Sequence, residues 1–173
     1  ANVCLVVKKS DLNKAVNVIH GEIFGISKRI NIAIFGKGLV GGTLIDQILK
    51  SQQNILKRKN IDLNIFAVAN STKVLLAKNG ITENWTVELE ENSLQNYEVK
   101  DVIDYAEKHH LENLIAVDNT ASAQFVDNYM VLAENGFDLI SSNKIANTKS
   151  YEFYKSLRQT LKNNKKSYLY ETN

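Results

Sequence analysis

Ile30-Asn31-Ile32-Ala33-Ile34-Phe35-Gly36-Lys37-Gly38-Leu39-Val40-Gly41-Gly42 is the stretch on which the reading of the fold turns. Its first six residues are almost wholly apolar, the composition of a short strand buried on both faces. Gly36, Gly38 and Gly41 follow in G-x-G-x-x-G spacing, and Val40, Leu44, Ile45 and Ile48 then recur at helical period. A strand that runs through this spacing into a helix is the context in which the glycines have a mechanism. Gly36 permits a tight turn, Gly38 lets the backbone approach a pyrophosphate, and Gly41 lets the helix pack close to the strand. The helix start also offers free N–H groups and the positive end of its dipole to phosphates. Gly36, Gly38, Leu39, Val40 and Gly41 are therefore candidate dinucleotide-binding residues.

Outward from this unit, the pattern repeats. Residues 61–69, 114–117, 137–140 and 168–170 read as strands. Helical spacing joins Val99, Val102, Ile103 and Ala106, then Val126, Tyr129, Met130 and Ala133, with Gly136 just beyond that helix's end. Asn147 or Thr148 opens a further helix carrying Tyr154, Leu157 and Leu161. Strands apolar on both faces, alternating with amphipathic helices, predict an α/β domain with a doubly wound, mostly parallel sheet. The start of the chain fits less well. Residues 2–8 form an apolar run that predicts a strand, and Ser10 or Asp11 caps a helix with Leu12, Ala15, Val16, Ile19 and Ile23, loosened by Gly21 and Gly25. One strand cannot satisfy its own hydrogen bonds. Residues 1–28 therefore read as the tail of a preceding domain, and 29–173 as the Rossmann-like domain.

Composition narrows the partners. The 173 residues carry 21 Lys and Arg against 19 Asp and Glu, interleaved, for a net charge of +2. Nucleic-acid binders cluster positive charge, so no nucleic-acid partner is expected, and Lys57-Arg58-Lys59 reads as a solvated helix end. No apolar stretch nears the ~20 residues that span a bilayer, and no leader pattern opens the chain. No membrane association and a cytoplasmic location are expected. Cys4, the single cysteine, leaves no internal disulfide and no cysteine-rich metal site, and among apolar neighbours it reads as a small core residue. His20, His109 and His110 include no pair at i, i+4 spacing, so no metal site is expected.

Three polar clusters follow strands on the sheet edge where ligands of open α/β sheets bind. The second strand ends in Asn70-Ser71-Thr72-Lys73, without the Asp or Glu that usually bonds the ribose hydroxyls in an NAD site. That favours NADP, with NAD still open. The strand at 114–117 runs into Asp118-Asn119-Thr120-Ala121-Ser122, and the strand at 137–140 into Ser141-Ser142-Asn143-Lys144. Thr120 and Ser122 also suit helix caps, and Lys144 also suits an exposed loop. On one sheet edge with the glycine turn, the clusters favour a site.

These segments, with Asn143-Lys144-Ile145-Ala146-Asn147-Thr148 and Tyr170-Glu171-Thr172-Asn173, resemble the homoserine dehydrogenase portion of bifunctional aspartokinase–homoserine dehydrogenases. Residues 2–25 resemble the last strand and helix of the ACT regulatory region that precedes it. The resemblance implies reversible reduction of aspartate β-semialdehyde to homoserine by NAD(P)H, on the way to threonine and methionine. It implies that Gly36 to Gly41 hold the pyrophosphate, Asn70 and Ser71 lie near the adenosine ribose, and Thr120, Ser122 and Asn143 lie toward the nicotinamide. Lys144 would face nicotinamide and substrate as the catalytic cation. The family continues beyond Thr172-Asn173 into a substrate and dimerisation domain. The resemblance therefore implies a homo-oligomer at full length and an incomplete catalytic unit in these residues alone. Two other readings share the glycine turn: a regulatory module that senses NAD(P), and another two-domain reductase of semialdehydes or 2-hydroxy acids.

Overall fold

The computed structural model describes residues 4–13, 15, 16, 19 and 27–170. Along the chain run β1 (Lys28–Phe35), α1 (Leu39–Lys59), β2 (Ile61–Ala69), β3 (Lys73–Leu76), α2 (Trp85–Glu91), β4 (Leu94–Gln95) and α3 (Val99–Lys108). Then follow β5 (Leu114–Asp118), α4 (Ala123–Val126), α5 (Tyr129–Glu134), β6 (Phe137–Ser141), α6 (Tyr151–Asn163) and β7 (Tyr168–Tyr170). The strands form one sheet in the order β4-β3-β2-β1-β5-β6-β7. All pairs from β2 to β7 are parallel, while β3 and β4 add an antiparallel edge.

Alternation along β1 explains why both faces are covered. Ala33 and Phe35 point into one core with Val102, Leu132 and Leu157, which α3, α5 and α6 bring down. Ile32 and Ile34 point into the other, with Ile45 of α1 and with Trp85 and Leu89 of α2. The central strands therefore carry apolar residues on both faces, the pattern of a parallel sheet sandwiched between helices. The chain winds from β1 to β2 in one direction, then returns past β1 to β5 and onward to β6 and β7. That reversal puts the switch point between β1 and β5, where a doubly wound sheet opens a crevice beyond its strand ends.

Four departures from the sequence reading have local causes. Residues 4–8 form no strand, and Leu5 and Val6 are 64% and 100% exposed. Among the described residues that run joins no sheet, and Cys4 is exposed rather than in a core. Residues 12, 13, 15, 16 and 19 are helical, while Asn2, Val3, Gly21, Ile23 and Gly25 lie outside the described residues. The β3–β4 edge and α2 escaped the reading because they are short, and only Trp85 and Leu89 of α2 are buried. The expected helix through Val126 and Ala133 is two helices, broken where the side-chain amide of Asn128 donates back to the carbonyl of Phe125 at 3.1 Å. The last helix begins at Tyr151, because the hydroxyl of Ser150 accepts from the N–H of Phe153 at 3.2 Å. Asn147 and Thr148 sit instead in the 3-10 turn Lys144–Thr148.

Two asparagines interrupt the apolar strands for a structural reason. Asn31 and Asn64, 3% and 4% exposed, face each other across β1 and β2. The amide of Asn64 donates to Asn31 Oδ1 at 2.7 Å and to the carbonyl of Lys78 at 3.1 Å, while Asn31 donates to the carbonyl of Glu112 at 2.7 Å. Asn64→Ala strands those acceptors without their donor. The expected loss is ~2 kcal/mol of unfolding free energy, read from urea denaturation.

Candidate functional site

The cleft is built from the turn after β1. Gly36 takes φ +93°, a left-handed conformation that favours glycine. Its N–H donates to the carbonyl of Ala69 at the end of β2 at 2.9 Å, and the N–H of Asn119 after β5 donates to the carbonyl of Phe35 at 2.8 Å. The turn is thus pinned from both neighbouring strands. A Cβ on Gly36 would lie 2.7 Å from the carbonyl of Asn119, and one on Gly41 would lie 1.8 Å from the Gly36 oxygen. A Cβ on Gly38 would meet nothing within 4 Å. Gly36 and Gly41 serve the packing of the turn, whereas Gly38 presents bare backbone to open space.

Gly38 is also the N-cap of α1, with no side-chain cap and no acidic residue in the first turn. Leu39 and Val40 follow it at 89% and 58% exposure. Lys57, Arg58 and Lys59 end this 21-residue helix, where cations complement its dipole. The N-terminus therefore faces the cleft with its positive end uncompensated by the chain.

From there a cleft of about 1040 Å³ runs across the ends of β2 and β5. Gly36, Gly38, Asn70, Ser71, Thr120 and Ser122 line it together, on elements separated by up to 86 residues of sequence between Gly36 and Ser122. Tyr97, Val99, Phe125 and Val131 add an apolar wall. Asn70 Oδ1 accepts from the N–H groups of Thr72 and Lys73 at 2.8 and 2.7 Å, so that oxygen shapes the turn. The hydroxyl of Tyr97 donates to the Asn70 carbonyl at 3.1 Å, and burial pushes that phenol up to about 12. Ser71 remains exposed at the rim.

Opposite lies a buried carboxylate. Asp118, the last residue of β5, is 2% exposed. Its Oδ2 accepts from the Tyr129 hydroxyl at 2.6 Å and from the Asn143 amide at 3.1 Å, and its Oδ1 from the N–H of Thr120 at 2.8 Å. Burial first, and then the Asp118 hydrogen bond, push the Tyr129 phenol well above its ordinary range, which keeps it a donor. Asn143, 4% exposed, also reaches the Ser122 carbonyl at 3.0 Å and Thr120 Oγ1 at 3.4 Å. Its own oxygen accepts from the N–H of Ile145 at 3.1 Å and starts the turn that carries Lys144, which is exposed. Thus Thr120 and Ser122 line the cleft while Asn143 ties them to the β6 end from behind. Ser122 also caps α4, accepting from the N–H of Phe125 at 3.1 Å, so one side chain both ends the loop and lines the cleft.

Asn119, Lys37 and Glu90 were missed in the sequence. Asn119 sits between Gly41 and Ser142; its oxygen accepts from the Ser142 hydroxyl at 3.0 Å, and its buried amide nitrogen has no hydrogen-bond partner. Only its place directly after β5 signalled it. Lys37, inside the glycine spacing, pairs with Glu90 of α2 at 3.2 Å, and Lys73 bonds the other oxygen of the same carboxylate. Nothing in sequence spacing brings Glu90 to the glycine turn.

Residues 36–171 match the model of the homoserine dehydrogenase NAD-binding domain. The chain belongs to the homoserine dehydrogenase family. It is 36% identical over 173 residues to the bifunctional aspartokinase/homoserine dehydrogenase of Buchnera aphidicola and 33% identical to that of Haemophilus influenzae. Each match covers 99% of this chain but 21% of the relative, so the chain spans about a fifth of their length. Its fold is shared with a hyperthermophilic archaeal homoserine dehydrogenase solved with NADPH, at TM-score 0.65 and 20% identity over 83% of this chain and 44% of that one. The Thermoplasma acidophilum enzyme is similar at TM-score 0.64 and 17% identity, over 83% of this chain and 43% of that one.

Homoserine dehydrogenases are NAD(P)-dependent oxidoreductases, and this domain is their nicotinamide-cofactor-binding part. The family match sets aside the reading as another two-domain reductase. The residues fit such a cofactor: the backbone at Gly38 is open, the helix start is uncapped, and the Asn119 amide is an unused buried donor. The glycines separate binding from folding. Gly38→Val is expected to abolish dinucleotide binding by titration while the thermal midpoint holds. Gly41→Ala is expected to lose about 3 kcal/mol or more in denaturant, because its Cβ meets backbone that cannot move aside.

Proposed function

We propose that this chain is the cofactor half of a homoserine dehydrogenase active site, and that the whole enzyme interconverts aspartate β-semialdehyde and homoserine with NADPH preferred. The observation that carries the reading is the open backbone of Gly38 at the switch point, facing Thr120 and Ser122 across one cleft. Gly36 to Gly41 hold the pyrophosphate: Gly38, Leu39, Val40 and Gly41 through main-chain N–H groups at the positive end of α1, and Gly36 through the tight turn it forms. Asn70 and Ser71 lie at the adenosine ribose, and the apolar wall of Tyr97, Val99 and Phe125 suits a flat ring. Thr120 and Ser122 lie toward the nicotinamide, with Asn143 holding them in place. When bound, the dinucleotide supplies or accepts the hydride.

Lys144 begins the turn that Asn143 caps, beside the nicotinamide end of the cleft as proposed. There its ammonium group stabilises negative charge that develops on the substrate oxygen. The remaining substrate contacts and the proton-transfer groups are assigned to a substrate and dimerisation region outside these residues, and the enzyme to a homo-oligomer. Residues 1–28 are assigned to the tail of an ACT-like regulatory region; the matches to bifunctional aspartokinase/homoserine dehydrogenases cover 99% of the chain, whereas the dehydrogenase domain match begins at residue 36. Among the described residues no helix is long and apolar enough to cross a membrane. The cytoplasm is the proposed location, although plant relatives carry "chloroplastic" in their names.

Calorimetric titration of NADPH and NADH at one ionic strength tests the cofactor assignment. NADPH is expected to bind more tightly; tighter NADH, or no binding of either, refutes the assignment. Turnover tests the division of the active site. Hydride transfer needs both reactants held in near-attack geometry, an effect worth ~7–11 kcal/mol. The 173 residues alone are expected to show no homoserine oxidation above background, and a full-length enzyme that contains them is expected to turn over. In that enzyme Lys144→Ala is expected to lower kcat about a hundredfold, in the range of a lost electrostatic contact, with an unchanged melting midpoint. Activity of the 173 residues alone, or an unimpaired Lys144→Ala enzyme, refutes these assignments.

A further inference from the structure

The second strand ends without a carboxylate, yet the fold delivers one to that place. Glu90 lies in the last turn of α2, between two ammonium groups. Lys37 of the glycine turn is 3.2 Å from its Oε1, and Lys73, the first residue of β3, bonds its Oε2. Lys73 first, and Lys37 second, hold the carboxyl below the usual carboxylate range. The helix gives Glu90 no such support. Glu90 and Glu91 close α2 with no basic residue in its last turn, where the helix dipole disfavours anions. The lysine pair is therefore what fixes Glu90 in place.

Of the two lysines, one lines the cofactor cleft and the other shares its carboxylate. Lys37 lines the cleft beside Gly38, and Lys73 follows the Asn70-Ser71 segment by two residues. Two cations that converge at the ribose side of a dinucleotide cleft suit a phosphate on that ribose, because an ammonium group bonds phosphate as a point charge. The same pair is already bridged by one anion. A phosphorylated ribose must either displace Glu90 or tolerate its repulsion at close range. A ribose with free hydroxyls makes no claim on the lysines and meets no such cost.

We propose that Glu90 is a specificity-determining residue: an internal anion, seated on the Lys37–Lys73 pair, that competes with the ribose phosphate of NADPH and restrains the preference for it over NADH. This rests on the cofactor assignment above. It makes the NADPH preference the difference between two lysines that attract the phosphate and one carboxylate that opposes it. Without Glu90 the full charge of both lysines meets the ligand.

Binding of NADPH and NADH to the wild-type chain, Glu90→Gln, Glu90→Asp and Lys73→Met, at low and high salt, tests the proposal. Thermal melting of each variant checks that the fold is kept. Glu90→Gln is expected to tighten NADPH by about three- to tenfold and leave NADH within about twofold, the scale of exposed ion pairs. The gain should shrink in high salt, where exposed charges are screened. Glu90→Asp should keep the wild-type ratio, and Lys73→Met should lose most of the NADPH preference. If the wild type binds both dinucleotides and Glu90→Gln leaves their ratio unchanged, Glu90 does not set specificity and the cofactor assignment still stands. An equal gain for both dinucleotides also overturns the proposal, since it reports net charge alone. If neither dinucleotide binds to any form, the cofactor assignment falls and the proposal falls with it.

Discussion

The first turn of α1 lies against the turn after β1 so closely that no side chain fits between them. A Cβ on Gly41 would sit 1.8 Å from the Gly36 oxygen, and one on Gly36 would strike the carbonyl of Asn119. This contact fixes where α1 starts relative to β1 and brings the β5 end against the same turn. It also aims an uncapped helix N-terminus at the crevice between β1 and β5. A larger residue at either position would push the helix away from the sheet and take the open backbone of Gly38 with it. The bare surface at Gly38 is useful only because its two flanking glycines are so tightly packed.

A second constraint holds the far wall. Asp118 is a carboxylate taken out of water at the end of β5, and three donors from Thr120, Tyr129 and Asn143 surround it. Buried polar groups left without partners are costly, so this carboxylate gathers donors from whichever segments can reach it. Those segments are the loop after β5, helix α5 and the loop after β6. The result is that Thr120 and Ser122 in the cleft, and the turn that presents Lys144, are set by one hydrogen-bonded knot beneath them. Tyr129 and Asn143 act on the site from below, as positioning residues.

Electrostatics at the near rim are less settled by packing and more by exchange. Lys37, Lys73 and Glu90 are partly exposed and satisfy one another across three elements. Such pairs are weak beside the buried network around Asp118. The site thus combines a rigid half, fixed by steric contact and buried hydrogen bonds, with a partly exposed ion-pair cluster beside the glycine turn.

Much of this was legible in the sequence, and the reason differs from part to part. The strand–glycine–helix unit, the doubly wound class and the cleft residues Gly36, Gly38, Asn70, Ser71, Thr120 and Ser122 follow from local pattern, because buried parallel strands are continuously apolar and their ends fall on one edge. The β3–β4 edge, α2 and the break between α4 and α5 were not legible, since each is too short to show a period. Residues 4–8 misled because an apolar run looks like a core strand whether or not a surface exists to cover it. The burial of Asn143 behind the cleft, the unused amide of Asn119 and the carboxylate of Glu90 beside the glycine turn required the tertiary structure. Sequence determines which residues carry charge and which strands end where; only the folded packing determines which charges meet, because Lys37, Lys73 and Glu90 come together through contacts that no local spacing records.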